Sequence, residues 1–450
     1  MTTKKRTAFV GLLLGLLALA GCGSDTKMPI LTSGPLSTIQ FGDAVNDQIV
    51  KFELTVTSIT LTGSGGTANT GNLLSKPAEF EFAHSAGSLE PVSVSNVPAG
   101  TYSGATLMVS SPEVVAIVGG VATKLPATLS SSMVSVNFSP SITVGNMPLF
   151  INFDLDLANS LTLNGTPPTS ATVSPKFNVS TSTIAPDQEN EDDDNGEIED
   201  VHGRVTNITA PNFTIDTGLS TITFLTDANT QFEDGIAKLA DLKVGDIVEV
   251  NGVTKPDGTK LATEVERDEA EAGEEVEGII TNVTGNPATL ITIAHQVDSS
   301  NSPNPPLTVD IAINANTRFR VRADKLNLST TPAFDAGHIG KGQRVEADTG
   351  NSSSTPMVAD QIKLREQALI GTVAASPAPT ASGFTLNISA TSAFGSLSGQ
   401  ISIPVAIVNG TRQKVTPTAG ATLRVRGLIF FDPAATPNYS MIAARIDDNH

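Results

Sequence analysis

Two short stretches decide the fold of the C-terminal half of this chain: VHGRVTNI at residues 201–208 and KVGDIVEV at residues 243–250. Both recur further along in the same order, as VEGIITNV (276–283) with GKGQRVEA (340–347), and more faintly as LIGTV (369–373) with TAGATLRV (418–425). Self-similarity that keeps its order indicates repeated structural units. We therefore predict three copies of one small domain, at 201–268, 276–366 and 369–447.

Each copy has the pattern of a small β-barrel. It contains about five short runs in which apolar and polar residues alternate, which is typical of strands with one buried face. A glycine near the first run, such as Gly203, permits the sharp bend that a small barrel needs, and Gly245-Asp246 is typical of a tight turn. These features predict an all-β protein with three OB-like barrels after an N-terminal domain.

The first copy resembles a bacterial family of OB-like barrels that has no known function. The resemblance rests on FEDG (232–235), ADLKVGDIVEVNG (240–252) and DGTKLATEVE (257–266). It implies a binding or spacer module, because OB-like folds host many unrelated functions.

Residues 35–185 are predicted to form a β-sandwich. Alternation is plain at 50–56 and at 149–157, and the turn VPAGTY (97–102) leads into an apolar strand. Together with VTSITL (56–61), these segments resemble a bacterial lipoprotein domain family of unknown function. That resemblance implies a sandwich and attaches no reaction to it.

The N-terminus carries the pattern of a lipoprotein signal peptide, predicted at 1–21 and followed by a tether at 22–34. Basic residues precede an apolar run at 8–19 that is long enough for a signal-peptide core and short for a bilayer span. The run ends in the lipobox Leu19, Ala20 and Gly21 before Cys22.

Cys22 is the only cysteine of the chain, and we predict that it is lipidated, with palmitate-type acyl chains. An ordinary secretory signal that happens to contain a cysteine is the alternative. An acidic residue after the cysteine commonly retains such proteins in the inner membrane. Gly23 stands there instead, so we expect a cell-envelope protein anchored to the outer membrane.

The amino-acid composition of the chain limits the kinds of partner that we expect it to bind. The formal net charge is −19, so the sequence predicts no nucleic-acid partner, because a polyanion would be repelled. With no cysteine beyond Cys22, no disulfide or thiolate metal site is expected. Tryptophan is absent and only two tyrosines occur, which counts against aromatic sugar-binding surfaces.

The run at 186–200 is strongly acidic and is predicted to be an extended, solvated linker. A weak calcium loop is the alternative, with Glu191, Asp193 and Asn195 as ligands. Its twelfth position is His202, where such loops place a bidentate glutamate. A second acidic run at 264–277 is predicted to be another solvated linker.

Catalytic motifs are missing from the sequence. The five histidines are scattered, and GSLSG at 395–399 places Leu397 where a nucleophilic serine would stand, so we interpret it as a loop. Asp154 and Asp156 share a strand face with no further catalytic group. We predict that the protein is not an enzyme and needs no cofactor.

The sequence therefore predicts a lipid-anchored envelope protein with a binding or scaffold role. The membrane is a partner through the lipid, and an unknown envelope protein or glycan is the other. The alternatives are a hydrolase of envelope polysaccharide or peptide that uses carboxylates, and a calcium-responsive surface protein.

Overall fold

Strands make up nearly all of the regular structure, so the prediction of an all-β protein is confirmed. The computed structural model describes residues 36–44, 48–85, 89–182, 196–218, 220–233, 235–268, 275–295, 307–321, 326, 328, 330–349 and 354–448. Among these residues, no helix is long and apolar enough to cross a membrane.

The N-terminal region is built from sheets that share one apolar core. Its elements in the described residues are β1 (Leu36–Ala44), β2 (Ile49–Ser64), β3 (Ala78–Glu81), α1 (Phe82–Ser85), β4 (Leu89–Asn96), β5 (Gly100–Val118), β6 (Val121–Leu125), β7 (Ala127–Leu129), β8 (Met133–Val144), β9 (Phe150–Asp156), α2 (Leu157–Ser160), β10 (Leu161–Asn164), β11 (Ser170–Val173) and β12 (Phe177–Ser182). One sheet has the order β12-β9-β1-β4, and another has the order β3-β2-β5-β6 with β8 also paired to β5. The strands β10-β11-β7 form a third, smaller sheet.

Phenylalanines fill the space between the two larger sheets. Phe41 of β1 lies 5.4 Å from Phe80 of β3 and 6.2 Å from Phe153 of β9, measured between ring centroids. Both contacts are edge-to-face, a favoured geometry for aromatic pairs. The alternating pattern of the sequence thus produces a sandwich core that needs no tryptophan.

Three units follow the sandwich and correspond to the predicted repeats. Barrel 1 contains β13 (Glu197–Thr209), β14 (Asn212–Asp216), β15 (Thr221–Leu225), β16 (Gln231–Glu233), a 3₁₀ turn (Leu239–Asp241), β17 (Ile247–Thr254) and β18 (Lys260–Asp268). Barrel 2 contains β19 (Glu275–Gly285), β20 (Ala288–His295), β21 (Thr308–Ala312), β22 (Arg318–Val321), β23 (Arg344–Asp348), β24 (Met357–Val358) and β25 (Gln361–Leu364). Barrel 3 contains β26 (Gln367–Val373), β27 (Gly383–Ile388), α3 (Ala393–Ser398), β28 (Ser402–Gln413), β29 (Thr422–Phe431) and β30 (Tyr439–Asp448).

The sheets of these units curl to different degrees. Barrel 3 is closed in the order β26-β27-β28-β30-β29. In barrel 1, the sheet order is β15-β14-β13-β17-β18-β16, and an additional pairing of β15 with β18 completes a ring. Barrel 2 is a seven-stranded sheet in the order β22-β25-β23-β19-β20-β21-β24.

The repeated glycines occupy comparable positions in each copy. A Cβ on Gly278 would lie 1.9 Å from the carbonyl oxygen of Ala294, and one on Gly371 would lie 2.5 Å from that of Asn387. Neighbouring backbone therefore fills the place of a side chain at this bend. The second repeated glycine has a positive φ in each copy, at Gly245 (105°), Gly342 (89°) and Gly420 (83°).

Two predictions about local structure are wrong. The segment GSLSG does not form a loop, because residues 393–398 form helix α3. The Ser392 hydroxyl accepts a hydrogen bond from the Gly395 amide at 2.9 Å and caps the helix, which ends at Gly399 in the left-handed region. Strand β13 begins at Glu197, inside the predicted linker, because Ile198 is buried in barrel 1.

The four domains pack against one another within the single compact unit Ser33–His450, where the sequence predicted barrels in a row with solvated linkers. One apolar cluster contains Val50 and Val115 of the sandwich, Ile279 of barrel 2 and Leu397 of α3. Barrel 1 meets the sandwich where Lys260 Nζ donates to Thr38 Oγ1 at 3.4 Å. These contacts come from the faces of strands and of helix α3, which carry the packing information that the linkers lack.

Candidate functional site

Barrels 1 and 2 meet across buried charged side chains rather than an apolar surface. In barrel 1, the pairing of β17 with β18 places Glu249 directly opposite Glu266. Their side chains are 2% and 1% exposed. Two like charges at opposed positions destabilise a sheet, and burying them without partners costs still more. The site therefore needs cations from elsewhere.

Barrel 2 supplies those cations from the end of β25. Lys363 Nζ lies 2.8 Å from Glu346 Oε1 of its own barrel and 3.0 Å from Glu266 Oε1 of barrel 1. Arg365 Nη1 lies 3.2 Å from Glu346 Oε2 and 3.5 Å from Glu249 Oε2. Each of these cations thus bridges a carboxylate of one barrel to a carboxylate of the other.

Two more arginines extend the cluster. Arg320 of β22 contacts Glu266 Oε1 at 3.0 Å and also pairs with Glu233 of barrel 1. Arg344 Nη2 lies 2.6 Å from Glu277 Oε1, and Glu277 stands opposite Glu346 in the pairing of β19 with β23. We call the following eight residues the interbarrel network: Glu249, Glu266, Glu277, Glu346, Arg320, Arg344, Lys363 and Arg365. It holds four carboxylates and four cations.

The cations determine how the buried acids titrate. Burial alone raises the pKa of the Glu346 carboxyl, but Arg365 and Lys363, with His202, lower it to about 2. Burial lowers the pKa of Lys363, and the carboxylates of Glu346, Asp348 and Glu266 more than reverse that effect and raise it. Glu346 and Lys363 therefore both remain ionised near neutral pH.

Two triplets of carboxylates at this junction could in principle hold a metal ion. They are Glu233 with Glu264 and Glu266, and Glu275 with Glu346 and Asp348; within each triplet the oxygens lie within 4.8 Å of one another. Arg320 already contacts two members of the first triplet. Lys363 contacts two members of the second. The protein's own cations thus occupy the positions that a metal would take, and the arrangement is an ion-pair network.

A second charged cluster lies on the sandwich. Lys51 Nζ is 3.0 Å from Glu53 Oε2 and 3.6 Å from Glu113 Oε1, and Lys124 also pairs with Glu113. Burial and a hydrogen bond with Glu79 raise the pKa of Glu53 to about 7, although Lys51 lowers it. With Glu81, opposite Glu53 in the β2–β3 pairing, these residues form what we call the sandwich cluster.

The sequence-predicted sites have different outcomes. The lipobox residues, Cys22 and the candidate calcium ligands Glu191, Asp193 and Asn195 lie outside the described residues, so they stay predictions. The prediction of a solvated linker at 264–277 is wrong at its ends. Glu266 and Glu277 lie in strands and are buried in the interbarrel network.

A sequence signal for the network exists, although sequence reasoning missed it. Charged residues alternate with apolar ones in TEVE (263–266) and again in KLR (363–365). An alternating strand exposes its charged face to solvent only if no other domain covers that face. Barrel 2 covers this face of barrel 1.

Comparison with known proteins gives a family for part of the chain. The family described as "Domain of unknown function (DUF5666)" matches residues 202–266. Barrel 1 is thus a DUF5666 domain. No curated protein matches the chain.

Two solved structures resemble the chain at low similarity. "Drosophila Unr CSD456" is 12% identical with a TM-score of 0.13, covering 55% of this chain and 96% of that chain. A multidomain protein with nucleic acid binding domains from Streptococcus pneumoniae TIGR4 is also 12% identical with a TM-score of 0.13, covering 54% of this chain and 72% of that chain. A likeness at this TM-score supports no function for this chain.

The exclusion of nucleic acid as a partner is corrected here, and one of these neighbours is described as having nucleic acid binding domains. The exclusion was drawn from the net charge of the whole chain. That charge is a sum over the molecule, whereas the local distribution of charge decides what binds at a given surface. Net charge therefore does not exclude a nucleic-acid partner here.

Proposed function

We propose that this chain is a lipid-anchored cell-envelope protein whose folded part is a non-catalytic binding or scaffold module of fixed shape. The observation that carries the proposal is the interbarrel network. It holds barrels 1 and 2 in one orientation, so surfaces on different domains stay in a defined relation. A module of this kind can bind one partner through several of its domains at once.

The energetics of the network favour a specific arrangement. Desolvation of a buried ion pair is costly and is repaid only when the geometry is good. Removing one partner leaves a buried charge, which costs several kcal/mol. Sliding or rotating barrel 1 against barrel 2 would separate Lys363 from Glu266 and Arg365 from Glu249. Alternative orientations of the two barrels are therefore disfavoured.

The anchor is the second part of the proposal. Acylation of Cys22 would tether the folded unit to the envelope membrane, where an envelope protein or glycan is the partner we propose. A diacylglycerol with a third acyl chain anchors stably, whereas a single chain gives only marginal binding at about 0.8 kcal/mol per buried CH₂. The outer membrane is the location that we favour.

The test combines palmitate labelling with crosslinking on intact cells. Wild type should be labelled and found in the membrane fraction, while Cys22→Ala should be unlabelled and released. Lys363→Met, which breaks the interbarrel network, should keep the label but lose crosslinks that join a partner to both barrels. Lys243→Met is the matched control, because Lys243 is an exposed lysine of barrel 1.

Two results would count against the proposal. Equal labelling of wild type and Cys22→Ala would show that Cys22 does not carry the lipid anchor. Crosslinks to both barrels that persist unchanged in Lys363→Met would show that a fixed orientation is not what the partner requires.

A further inference from the structure

Strand β8 forms an edge of the five-stranded sheet of the sandwich. Within the described residues, β8 pairs with β5 and with no other strand. The outward N–H and C=O groups of an edge strand can pair with a further strand, so proteins commonly protect such edges with charges, prolines or bulges. What β8 can bind therefore depends on which of its backbone groups point away from β5.

The contacts of β8 with β5 fix the direction of its backbone groups. The carbonyl of Ser132, just before the strand, accepts a hydrogen bond from a β5 amide at 2.8 Å. The carbonyl oxygen of Val136 lies against Gly104 of β5, 2.6 Å from the place where a Cβ on that glycine would stand. The backbone groups of Ser132 and Val136 therefore face β5.

Three residues of β8 face the opposite way. Because the direction of the backbone groups alternates along an antiparallel strand, those of Met133, Ser135 and Asn137 point away from β5. The Met133 amide donates to the Ser131 hydroxyl at 3.1 Å, and that hydroxyl donates to the Met133 carbonyl at 2.8 Å. The outward amides and carbonyls of Ser135 and Asn137 have no hydrogen-bond partner among the residues that the structure describes. These groups are open to another strand.

The edge lies in an uncharged part of the sandwich. No acidic or basic residue occurs at 125–153, which includes all of β8, or at 91–112, which includes the part of β5 that pairs with it. Met133 and Met108 are opposed in this pairing and are 56% and 36% exposed. Copies of a chain with a net charge of −19 repel one another overall. At this edge, two copies can approach without placing like charges opposite each other.

We propose that β8 pairs antiparallel with β8 of a second copy of this chain, about a two-fold axis beside Ser135. The amide of Ser135 in each copy then donates to the carbonyl of Ser135 in the other, and Met133 of one copy stands opposite Asn137 of the other. On the core face, Val134 of one copy lies opposite Val136 of the other. Both valines are 8% exposed at the rim of the sandwich core, and the pairing joins the two sheets into one.

The limits of the open segment determine this register. Four residues of β8, 138–141, stand opposite a single residue of β5, and Pro140 among them has no amide. Regular pairing therefore ends at Asn137, and Ser135 is the midpoint of residues 133–137. An uncharged segment paired about its own midpoint is complementary to itself, and a two-fold contact is complete with two copies. A second copy therefore satisfies both edges at once.

The test measures the dimer dissociation constant of the full chain by sedimentation equilibrium, with Cys22→Ala in every protein so that acyl chains cause no association. The parent protein should dimerise reversibly as its concentration rises. Ser135→Lys and Ser135→Glu each place two like charges at opposed positions, with Cα atoms roughly 5.5 Å apart. Each should raise the dissociation constant at least about tenfold. An equimolar mixture of the two variants pairs opposite charges and should restore the dimer.

Thr62→Lys is the matched control, because Thr62 is an exposed residue of β2 in the same sheet, away from the edge. It should dimerise as the parent does. Circular dichroism checks that each variant is folded. A parent protein that stays monomeric at every concentration would overturn the proposal. So would a dimer that Ser135→Lys does not weaken, or folded variants whose mixture remains monomeric. Neither the lipid anchor nor the interbarrel network takes part in this contact, so its failure would leave the proposed function standing.

Discussion

The interbarrel network and the sandwich cluster are built from the same kinds of residue and behave in opposite ways. In the network, Glu346 contacts two cations, Lys363 and Arg365, and its pKa falls to about 2. The sandwich cluster has four glutamates, Glu53, Glu79, Glu81 and Glu113, and two lysines, Lys51 and Lys124. There the pKa of Glu53 rises to about 7. Burial disfavours a charged carboxylate in both places, so the supply of cations decides the direction of the shift.

The largest expected effect comes from removing a central cation of the network. Lys363→Met leaves Glu346 and Glu266 buried beside a missing charge, which should cost about 3–5 kcal/mol of unfolding free energy. Urea denaturation at pH 7 measures it. Lys243→Met, at an exposed site, should change stability by less than about 0.5 kcal/mol. A small effect of Lys363→Met would mean that water or Arg365 compensates for the lost charge. The contrast between the interbarrel network and the sandwich cluster would then not hold.

The second largest effect is expected from acid, which should weaken the interbarrel network. The folded-state pKa of Glu346 is about 2, against an ordinary value of 4.5. Its contribution to stability is therefore complete above pH 4.5 and is lost as the pH falls towards 2. A shift of this size corresponds to at most about 3 kcal/mol. Denaturation midpoints measured from pH 5 to pH 2 should fall, and Glu346→Gln should flatten this dependence.

The sandwich cluster should show the opposite slope at higher pH. The folded-state pKa of Glu53 is raised from 4.5 to about 7, so the folded protein holds a proton that the unfolded chain releases. Stability from this group is complete below pH 4.5 and is lost as the pH rises to about 7. We expect a loss of about 1–2 kcal/mol, less than the full shift implies, because the side chain is partly solvated.

Glu53→Gln tests that slope directly. The variant should be as stable as wild type near pH 5 and more stable near pH 8, when both are followed by urea denaturation. A wild-type stability that does not change between pH 4.5 and pH 7 would show that Lys51 keeps Glu53 ionised, as in the network.

The smallest expected effect comes from the exposed edge of the sandwich cluster. The side chain of Lys124 is 58% exposed where it pairs with Glu113. Exposed ion pairs contribute about 0–1 kcal/mol, so Lys124→Gln should cost less than about 1 kcal/mol. Thermal melts in low and high salt measure the change. A cost as large as that of Lys363→Met would mean that burial does not separate the two clusters.

Much of the fold could be predicted from the sequence because its signals are local. Alternating residues such as those of β2 identify strands, and the repeated glycines at 203, 278 and 371 mark bends where neighbouring atoms leave little room for a side chain. Helix α3 could not be predicted so easily. Its sequence, AFGSLS, contains glycine and serine, which are poor helix formers, and its cap and its contact through Leu397 stabilise it.

The sequence by itself determined the strands, the repeats and the lipobox pattern, since each depends on residues close together in the chain. Only the tertiary structure decided which charged faces are covered. Glu266 and Lys363 are almost a hundred residues apart, yet their side chains lie 3.0 Å apart in the interior. A charged strand face has the same sequence pattern whether water or another domain lies against it. The burial and the partner charges that together set its pKa values and its energy depend on that neighbour.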